Sequence, residues 1–154
     1  MRCSDLPATT CSPATAAGGT GNDTLNGGSG NDTYIYYQGD GAEVVNETGG
    51  TDLLQFGQSI SDQQLWFAQQ GNDLVATLLG TSDKITVQNW YSGSSNQIET
   101  FTTVDGLRLD TQIAQLVAAM ATYSANNPGF DPSQASQMPN DSTLQSTIAS
   151  SWHN

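Results

Sequence analysis

A nine-residue unit that occurs twice in succession is the feature that most constrains how this chain folds. Residues 18–26 read Gly-Gly-Thr-Gly-Asn-Asp-Thr-Leu-Asn, and residues 27–35 read Gly-Gly-Ser-Gly-Asn-Asp-Thr-Tyr-Ile, so the units match at positions 1, 2, 4, 5, 6 and 7. A flexible glycine-rich linker has no reason to repeat Asp at a fixed spacing after Gly-x-Asn. The period instead predicts a stacked architecture in which each unit adds one turn and one short strand.

The residue types of the unit indicate a metal site in its turns. Glycine adopts backbone conformations closed to other residues, so a tight turn can aim several carbonyl oxygens inward, and Asp at position six adds a carboxylate. Calcium accepts about six to eight such hard oxygen ligands in irregular geometry, whereas magnesium requires a strict octahedron. The apolar residue at position eight, Leu25 or Tyr34, is expected on a strand that points into a narrow core. Turns two units apart then stack and share an ion.

Two further turns continue the repeat in a degenerate form. Gln38–Glu43 comes two residues late and carries Glu in the Asp position. Glu47–Leu54 recovers the nine-residue step but lacks the leading glycine pair. The side chain of Glu47 is expected to be exposed to solvent.

Stacking of alternate turns predicts which carboxylates meet. Asp23 is expected beside Glu43 or Asp40. Asp32 is expected beside Asp52, so the sequence predicts about two calcium ions. The candidate metal ligands are Gly18, Thr20, Gly21, Asp23, Gly27, Ser29, Gly30, Asp32, Gln38, Asp40, Glu43, Gly50 and Asp52.

The charge of the chain agrees with a bound cation. Its 154 residues include 15 acidic and three basic side chains, for a formal net charge of -12. The basic residues, Arg2, Lys84 and Arg108, are isolated in sequence, whereas nucleic acids and anionic membranes are bound by clustered Lys and Arg. Nucleic acid is therefore not expected as a partner. Six acids lie within residues 23–52 with no basic residue among them, and they repel one another unless a cation sits between them.

The rest of the chain divides into three regions. Residues 1–17 are predicted to be a flexible leader, whose Cys3 and Cys11 are either free or incidentally paired thiols, or form a functional disulfide loop. Residues 57–110 alternate short runs of β-branched and aromatic residues with turn clusters, which predicts antiparallel hairpins. Asp105-Gly106 is expected at the centre of a two-residue hairpin loop.

The C-terminal region, residues 111–154, is predicted to form two short helices. Residues 111–123 carry apolar side chains at helical spacing after the capping residue Asp110, and residues 142–152 do so after Asp141. The expected fold is therefore mainly β: a short parallel β-roll at residues 18–56, a cap of antiparallel hairpins at 57–110, and two C-terminal helices.

The nine-residue unit resembles the glycine- and aspartate-rich nonapeptide of the RTX (repeats-in-toxin) calcium-binding proteins. This resemblance implies a parallel β-roll, calcium in its turns, and export of the unfolded protein through a type I secretion channel. Residues 53–110 resemble the haemolysin-type calcium-binding related region that follows such repeats, and would cap a roll too short to be stable alone. The tail at residues 111–154 resembles by position the tails that carry an uncleaved secretion signal.

A calcium-dependent folding and export module is the function that these features favour. The expected protein is a secreted, extracellular monomer without a cleavable signal peptide or membrane span, and its partners are calcium and a type I secretion apparatus. The alternative is an adhesion or interaction module that binds a protein or glycan through the β cap, which an exposed cluster of Trp66, Trp90 and Tyr91 would favour. An enzyme is not expected, because His153 is the sole histidine and no nucleophile elbow or phosphate-binding loop occurs.

Overall fold

The computed structural model describes residues 15–154. Within that range the strands are β1 (Thr15–Ala16), β2 (Thr24–Gly28), β3 (Thr33–Tyr36), β4 (Ala42–Glu47), β5 (Leu53–Phe56), β6 (Leu65–Gln70), β7 (Asp73–Leu78), β8 (Lys84–Val87), β9 (Thr100–Thr102) and β10 (Arg108–Leu109). The helices are α1 (Ile113–Asn126) and α2 (Ser142–Ser151). Thr15 and Ala16, which were predicted to belong to a flexible leader at residues 1–17, instead pair with β3, and the rest of that predicted leader lies outside the described residues. Cys3 and Cys11 lie outside the described residues.

Two mixed sheets form the body of the protein. The first has the order β1-β3-β5-β9-β10 and the second the order β2-β4-β8-β7-β6, so strands that are consecutive in the repeat region alternate between the sheets. Pairing is parallel from β1 to β9 in the first sheet and from β2 to β8 in the second. The register joins residues 20 apart, Thr33 with Leu53 and Thr24 with Val44. The mainly β fold with two C-terminal helices is as predicted.

The region predicted as antiparallel hairpins is more closely joined to the repeats than expected. Strands β6, β7 and β8 form an antiparallel meander, and β9 pairs antiparallel with β10. However, β8 also pairs in parallel with β4, and β9 with β5. The predicted antiparallel hairpins are therefore present, and the region additionally extends both sheets through the edges that β4 and β5 present.

The loop between β9 and β10 also differs from its prediction. The Thr103 N–H donates to the Leu107 carbonyl at 3.0 Å, and the Gly106 N–H donates to the Thr103 carbonyl at 3.0 Å. The loop therefore contains three residues, with Gly106 at a φ of 86° after the turn. This is the common three-residue hairpin loop, in which a glycine with positive φ follows a type I turn. The turn is therefore centred on Val104-Asp105, one residue earlier than the predicted centre at Asp105-Gly106.

A continuous series of buried aromatic side chains runs through the core from the repeats to the C-terminus. The edge of Tyr36 meets Phe56 at 6.3 Å between ring centroids, and Phe56 stacks on Phe101 at 6.4 Å. Phe101 packs against Phe67 at 5.7 Å, and Phe67 contacts Trp152 at 6.2 Å. All five are at most 4% exposed, so the repeats and the tail share one core.

The two helices close this core, although α1 begins later than predicted. Asp110 accepts the Thr111 N–H at 2.7 Å, and the helix itself begins at Ile113. Helix α2 begins as predicted, since Asp141 Oδ1 accepts the Leu144 N–H at 2.9 Å. Beyond α2, the backbone of His153 exchanges two hydrogen bonds with Arg108 of β10. Among the described residues no helix is both long enough and apolar enough to cross a membrane.

The substitution Ile148→Ala tests the packing of the tail. Ile148 is 0% exposed on α2, so its truncation should lower the free energy of unfolding by about 2–5 kcal/mol, measured by urea denaturation. Ser146→Ala, on the exposed face of the same helix, should change it by less than about 0.5 kcal/mol. Equal effects of the two substitutions would contradict the docking of α2 against the core.

Candidate metal centre

Backbone and asparagine hydrogen bonds join the turns that lie two units apart. The Gly21 N–H donates to the Asp40 carbonyl at 2.8 Å, and the Gly30 N–H donates to the Gly49 carbonyl at 2.8 Å. The fifth residue of each nonapeptide is Asn, and its side-chain oxygen accepts a hydrogen bond from the turn two units later. Asn22 Oδ1 accepts the Ala42 N–H at 3.0 Å and Asn31 Oδ1 accepts the Thr51 N–H at 2.9 Å. These contacts explain why Asn recurs, which the sequence analysis left without a role.

The turns approach so closely that glycine is required at the contact. Gly41 and Gly50 have φ values of 103° and 155°, and a Cβ on either would collide with the carbonyl oxygen of Gly21 or Gly30, respectively. These glycines therefore remain in the third and fourth turns although other repeat positions are lost. Close stacking in turn brings the carboxylates of the turns together.

The structure brings together both pairs of carboxylates expected from alternate stacking. The Asp32 N–H donates to Asp52 Oδ1 at 2.8 Å. The Asp23 N–H approaches Glu43 Oε1 at 3.4 Å, a weaker contact. Asp32, Glu43 and Asp52 are each at most 2% exposed. Burial of this extent is unusual for carboxylates, because an ionised group loses its hydration there.

Glu47 joins one of these pairs, contrary to the expectation that it is exposed. It is 1% exposed, and one ligand oxygen from each of Asp32, Glu47 and Asp52 lies within 4.8 Å of the other two. On β4 it is paired with Gly28 of β2, after a shift in register that follows the pairing of Asn26 with Asn46. Its Oε2 accepts the Tyr34 hydroxyl at 2.5 Å, and burial raises the pKa of that phenol, which keeps it a neutral donor. The 20-residue register was the signal that could have placed Glu47 here.

Asp32, Asp52 and Glu99 form an acidic series in which each carboxylate accepts a backbone N–H of the preceding member. Glu99 lies beyond the repeats, and the sequence analysis did not select it. The Asp52 N–H donates to Glu99 Oε2 at 2.7 Å, as the Asp32 N–H does to Asp52 one turn earlier. The Thr100 N–H donates to the Asp52 carbonyl at 3.2 Å. Glu99 precedes β9, so only the pairing of β5 with β9 reveals its place.

The other candidate ligands are more dispersed. Asp40 is 7% exposed and its Oδ2 accepts the Tyr37 N–H at 2.9 Å. The side chains of Thr20, Ser29 and Gln38 are exposed. Gly18, Gly21, Gly27, Gly30 and Gly50 can offer only backbone groups. Gly18 faces the side chains of Glu43 and Asp23, and Gly27 faces Asp32 and Tyr34, so both border carboxylate pairs.

The electrostatics of the turns favour a cation. Burial is the main cause that raises the pKa of Glu43 to about 7. The hydrogen bond from the Asp23 N–H lowers this pKa, and the carboxylates of Asp23 and Asp40 raise it further. Burial likewise raises the pKa of Asp52 to about 7. The hydrogen bond from the Asp32 N–H lowers this pKa, and the carboxylates of Glu47, Glu99 and Asp32 raise it further. Each group therefore resists ionisation in the folded chain unless positive charge is supplied.

Between residues 15 and 154 no ion pair supplies that charge, since the ion pairs there are those of Asp110 with Arg108 and His153. Asp23 Oδ2, Glu43 Oε2 and Asp52 Oδ2 are buried without a hydrogen-bond partner in the same range. The acidic cluster found among the described residues consists of carboxylates, and hard oxygen ligands of this kind suit calcium rather than zinc or copper.

Comparison with protein families supports calcium as the ion. Residues 73–112 match the family described as haemolysin-type calcium binding protein related domain. The match runs from the start of β7 past β10, so it covers the strands that extend both sheets and includes Glu99. It supports the relationship to RTX proteins that the nonapeptides indicated, and it suggests calcium binding by this chain.

Gly27→Ala tests the geometry around the carboxylates. An added Cβ would meet the Tyr34 hydroxyl and would lie 2.7 Å from Asp32 Oδ2. Overpacking of this kind costs about 1–3 kcal/mol, so calcium affinity measured by calorimetry should fall about tenfold. Gly93→Ala is the matched control, because Gly93 is extended at a φ of 177° and its Cβ would have its nearest neighbour at 3.8 Å. Unchanged calcium affinity in Gly27→Ala would contradict the site.

Proposed function

We propose that the chain is a calcium-dependent folding module, in which residues 18–56 form a parallel β-roll that holds calcium between stacked turns. Residues 57–110 are its β cap and residues 111–154 its helical tail. The observation that carries this proposal is the set of carboxylates that alternate turns bring together, in which Asp23 Oδ2, Glu43 Oε2 and Asp52 Oδ2 are buried without a hydrogen-bond partner among the described residues. The proposed ions lie at the Asp23–Glu43 pair and at the Asp32–Asp52 pair.

The strand arrangement supports the roll. Strands β1, β3 and β5 alternate along the chain with β2 and β4 of the other sheet, and pairing within each sheet is parallel. Two nonapeptides therefore make one complete circuit of 18 residues. The third turn comes two residues late, and these two residues account for the register that pairs residues 20 apart. Parallel pairing through turns rather than through long crossovers requires such coiling.

Calcium would act on the folding equilibrium. Without the ion, repulsion among carboxylates and the backbone entropy of glycine oppose folding of residues 18–56. An ion that binds the folded state alone stabilises it by about 2.7 kcal/mol per site at a hundred times its dissociation constant. Extracellular calcium modules bind at about 0.1–1 mM, so a chain with such sites stays unfolded in the cell and folds outside.

We further propose that the tail directs export through a type I secretion apparatus, with or without a passenger protein. In the folded chain the tail places Leu144, Ile148 and Trp152 in the core. A signal in this segment could be read only before folding, which is the state that scarce cellular calcium would maintain. The tail and the calcium sites would thus operate in sequence.

The adhesion alternative gains no support from the aromatic residues of the cap. Trp66 is 3% and Trp90 5% exposed, and both belong to the core. Tyr91 alone of the three is accessible, at 38%. The exposed cluster that would favour a glycan or protein partner is therefore not formed. That the chain is not an enzyme stays a prediction.

A calcium titration followed by circular dichroism tests the folding proposal. The chelated chain should lack much of its β signal, and millimolar calcium should restore it, with reversal by chelator. Asp32→Asn should shift the midpoint upward by about tenfold, because it removes a carboxylate from the site. Asp62→Asn, in the 3₁₀ segment Asp62–Gln64, is the control and should leave the midpoint unchanged. The absence of any spectral change at millimolar calcium would contradict the proposal.

Export is tested separately in a bacterial host that carries a type I apparatus. The full chain should appear in the medium, and a chain without residues 111–154 should remain with the cells. Asp32→Asn should still be exported, because the proposal requires the exported chain to be unfolded. Equal export with and without the tail would refute the signal role and would leave the calcium proposal intact.

A further inference from the structure

We propose that Glu47 is a third carboxylate ligand, and that the Asp32–Glu47–Asp52 site consequently binds calcium before the Asp23–Glu43 site does. The inference rests on the proposed function and deepens it. It assigns an order to the two sites and a metal-binding role to a residue that stands where both nonapeptides have glycine.

The position of Glu47 follows from the register of the second sheet. Asn26 of β2 is paired with Asn46 of β4, and after a shift in register Gly28 is paired with Glu47, which places Glu47 next to Gly27. In the earlier turn, the absence of a side chain at Gly27 leaves room for the Tyr34 hydroxyl and for Asp32. The Glu47 carboxylate enters the same space from the turn stacked on it, because Tyr34 donates to its Oε2.

Three neutral donors hold the side chain of Glu47 in place. Its Oε1 accepts the N–H groups of Thr48 at 2.8 Å and Gly49 at 3.2 Å, and its Oε2 accepts the Tyr34 hydroxyl. These contacts orient a side chain that is 1% exposed, and none of them supplies a positive charge. The Asn96 side chain also donates to the Glu47 carbonyl at 2.9 Å, which fixes the backbone.

A second observation points to a ligand at this place. Asp52 is 2% exposed, and its Oδ2 is buried without a hydrogen-bond partner although its Oδ1 accepts the Asp32 N–H. Asp52 lies in the group whose ligand oxygens are within 4.8 Å of one another. A cation among the three carboxylates would satisfy the remaining oxygen and offset the charge.

The other pair of turns provides an internal comparison. The position equivalent to Glu47 is Gln38, which is neutral and exposed, so that site has the carboxylates of Asp23 and Glu43. Asp40 is buried nearby, but its Oδ2 accepts the Tyr37 N–H. In the described part of the chain, Asp32, Glu47 and Asp52 are the group that brings three such ligands together. Since affinity for calcium rises with ligand charge, the two sites should fill in order.

Paired isosteric substitutions test this order. Glu47→Gln keeps an oxygen that can accept the Thr48 and Gly49 N–H groups, and its amide can donate to Tyr34, so the change removes charge rather than shape. Calcium calorimetry on the unmodified chain should resolve a tighter and a weaker step. Glu47→Gln should weaken the tighter step by about tenfold or more, and Glu43→Gln should weaken the other step instead.

Each outcome has a distinct meaning. If Glu47→Gln binds calcium in the same two steps as the unmodified chain, Glu47 is not a ligand and the inference is overturned while the folding proposal stands. If the unmodified chain binds no calcium, the proposed function fails as well. Circular dichroism at high calcium establishes whether each variant is folded when its affinity is measured.

A measurement that does not depend on Glu47→Gln covers the case in which that variant does not fold. Terbium(III) replaces calcium at oxygen sites, and its emission is sensitised by a nearby phenol. With terbium at less than one equivalent, emission should fall several-fold in Tyr34→Phe and much less in Tyr91→Phe, because the Tyr34 hydroxyl contacts Glu47. Equal early emission in Tyr34→Phe and in the unmodified chain would overturn the order of filling.

Discussion

Repulsion among buried carboxylates is the constraint on which the rest of this structure depends. Stacking of alternate turns satisfies their backbone groups, but it also places Asp23 beside Glu43 and Asp32 beside Asp52 in a region without basic residues. Burial is the main cause of the raised pKa values of Glu43 and Asp52, and neighbouring carboxylates raise them further. A bound cation would offset this unfavourable arrangement, so the proposed ligand bears directly on the stability of the stacked turns.

The hydrophobic core links this constraint to the remainder of the chain. The paired repeat strands bury little by themselves, and Leu25, Tyr34, Val45 and Leu54 form only a narrow interior. Strands β8 and β9 extend both sheets, and the aromatic series from Tyr36 to Trp152 carries the same core to the tail. Ordering of the turns therefore provides edges on which the later strands pair, and the later strands provide the apolar area that the repeats lack.

The sequence predicted those features that depend on short-range pattern. The nonapeptide period indicated that Asp32 meets Asp52, and Asp141 with its apolar spacing predicted where α2 begins. What it missed depends on pairing between distant segments. Glu99 joins the acidic series only because β9 pairs with β5, and Glu47 was expected to be exposed because its turn lacks the glycine pair. The loop at Asp105-Gly106 was misplaced by one residue because two hairpin solutions accept the same dipeptide.

In the fourth turn, Glu47 stands where both nonapeptides have glycine, and its carboxylate gives this position a contact that glycine could not make. Glycine is retained at Gly50, where a side chain would collide with the backbone of Gly30, and it is replaced at Glu47, where the turn leaves space beside Tyr34. Sterics and electrostatics select different residues at neighbouring positions of one turn. The fourth turn consequently places Glu47 and Asp52 beside Asp32, and there Asp52 also contacts Glu99, which lies within the residues that match the calcium-binding related family. An ion at this junction would join the repeat to its cap, which makes the fourth turn the point where binding and folding are most strongly coupled.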